Sequence, residues 1–327
     1  MSSFDSMRRR GFLAGVASCA VIAGLPACAP RALPERGRLR RWPDVEPPLP
    51  ARIPHPIEQL GRTRDDVYSW MKFVPETGVR SEDNLPEPIA RHLAAENAYA
   101  EAMLAPLREE RERLLERMLA RASGGVEPPP TLLDGWEYSA SIPAGSVHPV
   151  HIRRQPGGAA EVLVDDAQRA AGQPYYRSTD HQPSPDHRYF AWAEDVIGND
   201  RHRIMVRDNA TGEVRMLVPA DAYGYGAIAF SPSSRWLFWI WRDAHNRPTR
   251  LYRTAVDGSA TALVYEESDP AIFMGLKRTA ANGFIALTMS GPDISEVRLV
   301  PAADEAGEPR VGQPRRPGVR YEIDELG

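Results

Sequence analysis

The chain is poor in cysteine, in net charge and in long apolar runs, and each shortage excludes a class of protein. Its 327 residues contain only two cysteines, Cys19 and Cys28, so a framework of disulfides cannot hold the fold together. The net charge of −4 gives no indication of a nucleic-acid partner. An uncharged run from Phe12 to Ala27 is too short, and too interrupted by Pro26, to span a membrane.

The familiar sequence signatures of catalysis and nucleotide binding are also missing. The sequence contains no G-x-S-x-G nucleophile elbow, no H-E-x-x-H pair and no P-loop. Ser184 and Ser231 precede prolines in predicted turns, and the sequence places no base near them, which argues against a nucleophile. We therefore assign no catalytic residue and no cofactor to this sequence.

Histidines and aspartates gather in two short stretches, "HPVHI" (148–152) and "DHQPSPDH" (180–187). The residues concerned are His148, His151, Asp180, His181, Asp186 and His187. A metal site would require three or four such ligands to converge. Because aspartates in turns between strands commonly bond the local backbone, we interpret these positions as turn residues and assign no metal ligand.

The first 28 residues are predicted to be an export signal. A basic cluster is followed by the uncharged run, an arrangement typical of the twin-arginine pathway, with an ordinary Sec signal or a buried helix as the alternatives. The residues that carry this prediction are Arg9, Arg10, Phe12 and Leu13.

Two cleavage sites compete at the end of this signal. The stretch "LPAC" (25–28) resembles a bacterial lipobox, in which Cys28 would be lipidated and become the mature N-terminus. The stretch "ACA" (27–29) instead matches ordinary signal peptidase, but Pro30 would follow that cut and hinder it. We favour lipidation at Cys28, which predicts a periplasmic lipoprotein that contacts the membrane only through its anchor.

Composition and periodicity divide the rest of the chain. Residues 29–56 are predicted to be an extended linker, because eight prolines fall between residues 30 and 56. Residues 57–125 are predicted to contain two amphipathic helices that Pro106 separates. The apolar stripes are Ile89, Leu93, Asn97, Ala100 and Leu104 in the first helix, and Leu107, Leu114, Leu115, Met118 and Leu119 in the second.

From residue 131 the pattern changes to short strands with a weak internal repeat. Polar turns open into strands at Trp136, Tyr189, Trp236 and Phe284, which are separated by 53, 47 and 48 residues. A further strand, a turn and another strand follow in each unit. Repeats of this length are typical of β-propeller blades, whereas a Greek-key sandwich would not predict them. The run "WLFWIW" (236–241) is interpreted as a strand buried on both faces.

Four such units fit between about residues 131 and 318, so residues 131–327 are predicted to be a mainly β, incomplete propeller behind a two-helix segment. The last stretch, "GVRYEIDELG" (318–327), falls where a fifth blade would begin. Val319, Tyr321 and Ile323 alternate there with charged residues, which is the period of a half-buried strand. We interpret it as the first strand of a blade whose remainder is missing.

Five stretches of the sequence are distinctive: "IPHPIEQLGRTRDDVYSWM" (53–71), "LAAENAYAEAML" (93–104), "SPDHRYFAW" (184–192), "RTAANGF" (278–284) and "SEVRLV" (295–300). Together they resemble the prolyl oligopeptidase family of serine peptidases, and within it the oligopeptidase B group. The resemblance runs from about Ile53 to Gly327, and it departs from the family pattern at 72–84 and at 233–234, where Ser-Ser replaces the usual Asp-Gly.

The resemblance implies a two-part enzyme, in which the N-terminal segment and a seven-bladed propeller cap an α/β-hydrolase domain with Ser, Asp and His. It also implies hydrolysis of short peptides, and in oligopeptidase B the cleavage follows basic residues. The N-terminal helices are implied to pack on the hydrolase domain. No triad residue can be carried over to this sequence, so we expect the chain to be inactive unless a hydrolase domain is supplied, for instance by a separate chain. The alternative is a lipid-anchored, non-catalytic propeller that acts as a binding or scaffold module.

Overall fold

The computed structural model describes residues 42–73, 84–122 and 124–325, and the chain divides into two units, Met1–Glu46 and Pro47–Gly327. The described residues include no helix that is both long and apolar enough to cross a membrane. The predicted export and lipidation residues lie outside the described ranges; they are Arg9, Arg10, Phe12, Leu13 and Cys28.

A small hairpin opens the second unit. Strands β1 (Pro56–Gln59) and β2 (Arg62–Asp65) pair antiparallel, and Leu60 and Gly61 turn the chain with positive φ values of 54° and 70°. Positive φ at both central residues matches the right-handed twist of the strands, which explains the glycine in this two-residue turn. The hairpin therefore begins at the last residue of the predicted linker.

The two predicted helices are present, and the chain stays helical through Pro106. Helix α1 (Glu87–Leu104) passes through a 3₁₀ turn (Ala105–Leu107) into α2 (Arg108–Ala122). The backbone stays right-handed helical at Leu104, Ala105 and Arg108, since proline is tolerated in the first turn of a helix. The result is one continuous helical segment, here called the rod.

The described residues after the rod form four blades, each of four antiparallel strands paired in chain order, and a single pairing of Ala222 with Trp241 joins blades 2 and 3 into one eight-stranded sheet. Blade 1 contains β3 (Thr131–Leu133), β4 (Trp136–Ser141), β5 (Val150–Arg154) and β6 (Glu161–Asp165). Blade 2 contains β7 (Arg177–Pro183), β8 (Tyr189–Asp195), β9 (His202–Asp208) and β10 (Val214–Ala222). Blade 3 contains β11 (Ile228–Phe230), β12 (Trp236–Arg242), β13 (Pro248–Ala255) and β14 (Thr261–Glu266). Blade 4 contains β15 (Phe273–Arg278), β16 (Phe284–Ser290), β17 (Ser295–Pro301) and β18 (Arg310–Gln313). A short helix, α3 (Asp166–Ala170), connects blade 1 to blade 2.

The aromatic repeat marks one position in every blade. Trp136, Tyr189, Trp236 and Phe284 are the first residues of β4, β8, β12 and β16, the second strand of each blade. The prediction of four propeller blades is confirmed. The repeat did not reveal the first strands, because β3 and β11 have only three residues and β7 reads "RSTDHQP", which is polar throughout.

The turn between the first and second strands has one design in blades 2, 3 and 4. A hydroxyl at its start accepts a hydrogen bond of 2.8–3.2 Å from the backbone N–H of the aromatic residue five positions later. The hydroxyl residues are Ser184, Ser231 and Thr279, and the left-handed residues of the same turns are His187, Ser234 and Asn282, with φ of 57°, 61° and 60°. The Ser184 and Ser231 hydroxyls therefore form hydrogen bonds with the backbone of their own turns, as short polar side chains do in turns.

The core lies in the described blades 2 to 4. Phe238 and Ile240 of β12 are fully buried, as are Ile285 and Leu287 of β16, and they share one apolar cluster. Trp192 of β8 is also fully buried in a second cluster nearer blade 1. Burial of side chains this large provides most of the favourable free energy of folding in this region.

The C-terminal segment does not form the predicted fifth-blade strand. Val319, Tyr321 and Ile323 are half-buried and alternate with exposed neighbours, but no strand occurs among described residues 314–325. Ser295 holds the segment against blade 4, because its backbone N–H donates to Val319 O (3.2 Å) and its hydroxyl oxygen accepts from Tyr321 N–H (2.7 Å). Because a strand requires a ladder of backbone hydrogen bonds, one backbone bond and one side-chain bond do not make this segment a strand.

Candidate functional site

Three ionisable side chains converge between blade 1 and blade 2. His151 lies on β5, Asp166 begins α3, and His181 lies on β7. One potential ligand atom from each lies within 4.8 Å of the other two. His151 and Asp166 are 8% and 2% exposed. We call these three residues the interblade cluster.

Two irregular strands bring the histidines together. The pairing of β5 with β6 shifts register between His151 and Ile152, and the pairing of β7 with β8 shifts between Thr179 and Gln182. Within the second bulge Asp180 has a φ of 53°, and its carboxylate accepts hydrogen bonds from the backbone N–H groups of Gly226 and Ala227, just before β11, at 2.7 and 2.9 Å. Bulges of this kind turn a side chain away from its regular direction, here for His181.

Asp166 is held in place by the backbone just before β5 and by two hydroxyls. Its backbone N–H donates to Pro149 O (3.1 Å), and the Ser178 hydroxyl donates to its Oδ2. Tyr176 Oη donates to Oδ1 at 3.2 Å. Burial alone would raise the pKa of Asp166, but neighbouring His151 and the Ser178 hydroxyl bring it below the ordinary value. The carboxylate is therefore kept ionised.

The two imidazoles stack on each other beside this carboxylate. Their ring centroids are 3.7 Å apart with an interplanar angle of 19°, and His151 Nε2 lies 3.8 Å from Asp166 Oδ2. Neither His151 Nε2 nor His181 Nε2 has a hydrogen-bond partner among the described residues, although both atoms are buried. Burial, with a contribution from His151, lowers the pKa of His181 to about 3, so that ring is neutral.

A buried ion-pair network supports the cluster from the blade 2 side. Glu194, which is fully buried, accepts hydrogen bonds from Arg169 Nε (2.7 Å) and Arg203 Nε (2.6 Å). Trp192 Nε1 donates to the same carboxylate at 2.9 Å. Tyr176 Oη lies within hydrogen-bond distance of Glu194 Oε2 (3.1 Å), and therefore connects this network to Asp166.

An open cleft of about 380 Å³ leads to the cluster. Both histidines line it, together with Pro128, Tyr138 and Phe190. Titratable side chains beside a cleft make it a candidate site for a small ligand or a metal ion.

The remaining histidines and aspartates from the sequence do not join this cluster. His187 occupies the left-handed position of its turn, and its Nδ1 lies 2.9 Å from Tyr138 Oη. Asp186 accepts hydrogen bonds from the Ser184 hydroxyl (2.6 Å) and from Arg188 N (3.1 Å) within the turn. The His148 ring makes an edge contact with Tyr176, at 6.2 Å between ring centroids.

Sequence reasoning did not single out Asp166 or Glu194. Asp166 lies in "VDDAQRA" (164–170), which suggests only a helix start, and Asp165 does accept hydrogen bonds from Ala167 N and Gln168 N as its cap. Glu194 ends an apolar strand and has no motif around it. Their roles depend on partners from other elements, which a repeat pattern cannot specify.

The described blades define the class of this protein, a β-propeller with a helical segment before it. Residues 48–326 match the family description "Prolyl oligopeptidase, N-terminal beta-propeller domain". The chain belongs to the prolyl oligopeptidase family.

Relatives and solved structures agree with this assignment. Dipeptidyl aminopeptidase BI from Pseudoxanthomonas mexicana is 30% identical over 302 residues, which cover 86% of this chain and 40% of that protein. Protease 2 from Moraxella lacunata is 26% identical over 286 residues, 85% of this chain and 40% of the relative. The structure of oligopeptidase B from Leishmania major superimposes with a TM-score of 0.71 at 22% identity, covering 86% of this chain and 41% of that one. The chain thus spans about 40% of the length of the curated relatives it matches.

Proposed function

We propose that this chain is the propeller-bearing, non-catalytic portion of an exported, oligopeptidase B-like serine peptidase that hydrolyses short peptides after basic residues. The observation that carries the proposal is the match of residues 48–326 to the N-terminal propeller domain of a peptidase family. In this proposal the Ser, Asp and His residues belong to a hydrolase part, in the same protein or on a separate chain, and the propeller restricts access to it.

The exposed apolar face of α2 supports the proposal, because it is a candidate contact surface for the hydrolase part. Leu114, Leu115, Met118 and Leu119 are each 54–59% exposed, and a shallow cleft of about 550 Å³ runs along three of them. Large apolar side chains grouped on one helix face are typical of a contact surface. We propose that the hydrolase part covers this face.

Export is the second component of the proposal. The pair Arg9-Arg10 followed by Phe12 and Leu13 would direct the chain out of the cytoplasm, and a lipidated Cys28 would attach it to a membrane. The proline-rich segment after Cys28 would then hold the propeller away from the lipid surface, because such segments are extended. The peptidase would act on peptides in the periplasm.

The DNA immediately downstream provides the test. We expect one of its reading frames to encode a hydrolase part with a G-x-S-x-G elbow. The chain joined to that part should cleave a chromogenic peptide after Arg, and a serine inhibitor should stop it. The chain alone should show no such turnover, and a Ser→Ala variant of the elbow is the matched control. Unrelated downstream sequence would favour the scaffold alternative, and inhibitor-sensitive turnover by the chain alone would contradict both.

A further inference from the structure

We propose that the interblade cluster binds one divalent transition-metal ion, with Zn²⁺ as the best match, which cross-links blade 1 to blade 2. The candidate ligands are His151, Asp166 and His181. This inference is independent of the peptidase activity, since it concerns only described residues of the propeller.

The donor set is the first argument. Two imidazole nitrogens and one carboxylate oxygen suit Zn²⁺, whereas Mg²⁺ and Ca²⁺ prefer oxygen ligands. Three protein ligands with a fourth position left for water is a common zinc arrangement. The cleft beside His151 and His181 supplies both the space for that water and a route by which the ion enters.

The geometry is the second argument. At zinc–ligand distances near 2.1 Å, neighbouring ligand atoms of a tetrahedral site lie about 3.4 Å apart. His151 Nε2 and Asp166 Oδ2 are already 3.8 Å apart. The widest separation in the cluster is 4.8 Å or less, so the imidazoles must turn toward the carboxylate to close the site.

The unpartnered nitrogens are the third argument. A buried polar atom without a hydrogen bond is costly, and Nε2 of both histidines is buried without a partner among the described residues. A bound cation would satisfy both atoms at once. It would also neutralise the negative charge of Asp166, which lies beside two imidazoles rather than beside an arginine.

The surroundings of the carboxylate are the fourth argument. Metal-bound carboxylates are usually held by further hydrogen bonds that fix their orientation. Ser178 and Tyr176 supply such bonds to the two oxygens of Asp166, and Glu194 pairs with the nearby arginines Arg169 and Arg203. Because these arginines are already paired, they do not compete for the carboxylate.

Equilibrium dialysis of the full chain with Zn²⁺ tests the proposal. We expect one tightly bound ion per chain, and a midpoint of thermal unfolding that rises with Zn²⁺ concentration. His151→Gln and His181→Gln should each weaken binding about tenfold or more, and Ser178→Ala should weaken it about tenfold. His245→Gln is the matched control, because His245 is exposed beside Asp243 and should leave binding unchanged.

The two cysteines require a separate control, because thiolates also bind zinc. A Cys19→Ser/Cys28→Ser variant should retain the ion. X-ray absorption of the zinc-loaded wild-type chain needs no variant and should show nitrogen and oxygen ligands with two imidazoles. Sulfur ligands, binding that survives the His151→Gln/His181→Gln double variant, or no bound ion at all would each overturn the proposal.

Discussion

Strand β12 and helix α2 both carry a run of large apolar side chains, but they differ in how those side chains are covered. In β12, Leu237, Phe238 and Ile240 are fully buried against the neighbouring strands and blade 4. In α2, Leu115 and Met118 are 56% and 57% exposed. The strand finds its partners within the propeller, whereas the described part of the chain provides no cover for the helix face.

The difference shows what each region contributes to stability. Full burial of one large apolar side chain is worth about 1.5–3 kcal/mol, and β12 already obtains this from its own blade and the next. Burial of the exposed α2 side chains by another surface would contribute a similar free energy to assembly. The propeller blades therefore stabilise the chain by themselves, and α2 offers a surface for assembly.

The largest loss in the free energy of unfolding is expected for a substitution in strand β12. Phe238→Ala should lower the free energy of unfolding of the full chain by about 4 kcal/mol, because it leaves a cavity in the largest apolar cluster. Phe273→Ala, at a position 40% exposed on β15, is the matched control and should cost about 1 kcal/mol. Urea unfolding followed by circular dichroism measures both. Equal losses would show that Phe238 is not the better packed of the two.

An intermediate loss of stability is expected at the buried ion pairs that Glu194 forms. Glu194→Gln removes the charge that Arg169 and Arg203 share, and should cost about 3 kcal/mol at neutral pH. Glu266→Gln, which breaks the exposed pair with Arg250, is the control and should cost under about 0.5 kcal/mol.

The same variant has a pH dependence with a defined sign. Burial opposes ionisation of Glu194, but hydrogen bonds from Arg169 and Trp192 hold its folded-state pKa below the ordinary 4.5. The carboxylate therefore stabilises the fold above pH 4.5, and this stabilisation is lost as the pH falls through the folded-state pKa. Unfolding curves of wild type and Glu194→Gln should converge in acid. A difference that grows on acidification would contradict this account.

The blades could be predicted from the sequence because their pattern is local. Trp136 and its three counterparts each follow a turn and start a strand, so their spacing reports the blade directly. The first strands escaped prediction because β11 is short and β7 is polar. Tyr321 shows the same limit, since its alternating pattern indicated burial correctly but could not specify the lack of a pairing strand.

The interblade cluster could not be predicted from local sequence patterns. His151 and His181 were visible as histidines, but the bulges that turn them toward each other depend on strand register. Asp166 comes from a different element and had no motif. Convergence of three side chains from three elements is a property of tertiary packing, which the sequence spacing does not contain.

The smallest change in the free energy of unfolding of the chain is expected for a substitution on helix α2. Leu115→Gln keeps a good helix former and should change the free energy of unfolding by less than about 0.5 kcal/mol, because the side chain is already exposed. Leu251→Gln, at a fully buried position of β13, is the control and should be severely destabilising. If a hydrolase part covers α2, adding it should reveal a loss from Leu115→Gln of about 1–2 kcal/mol, measured by unfolding of the assembled protein. A large loss in the chain alone would mean that the α2 face is already packed, and the contrast with β12 would then fail.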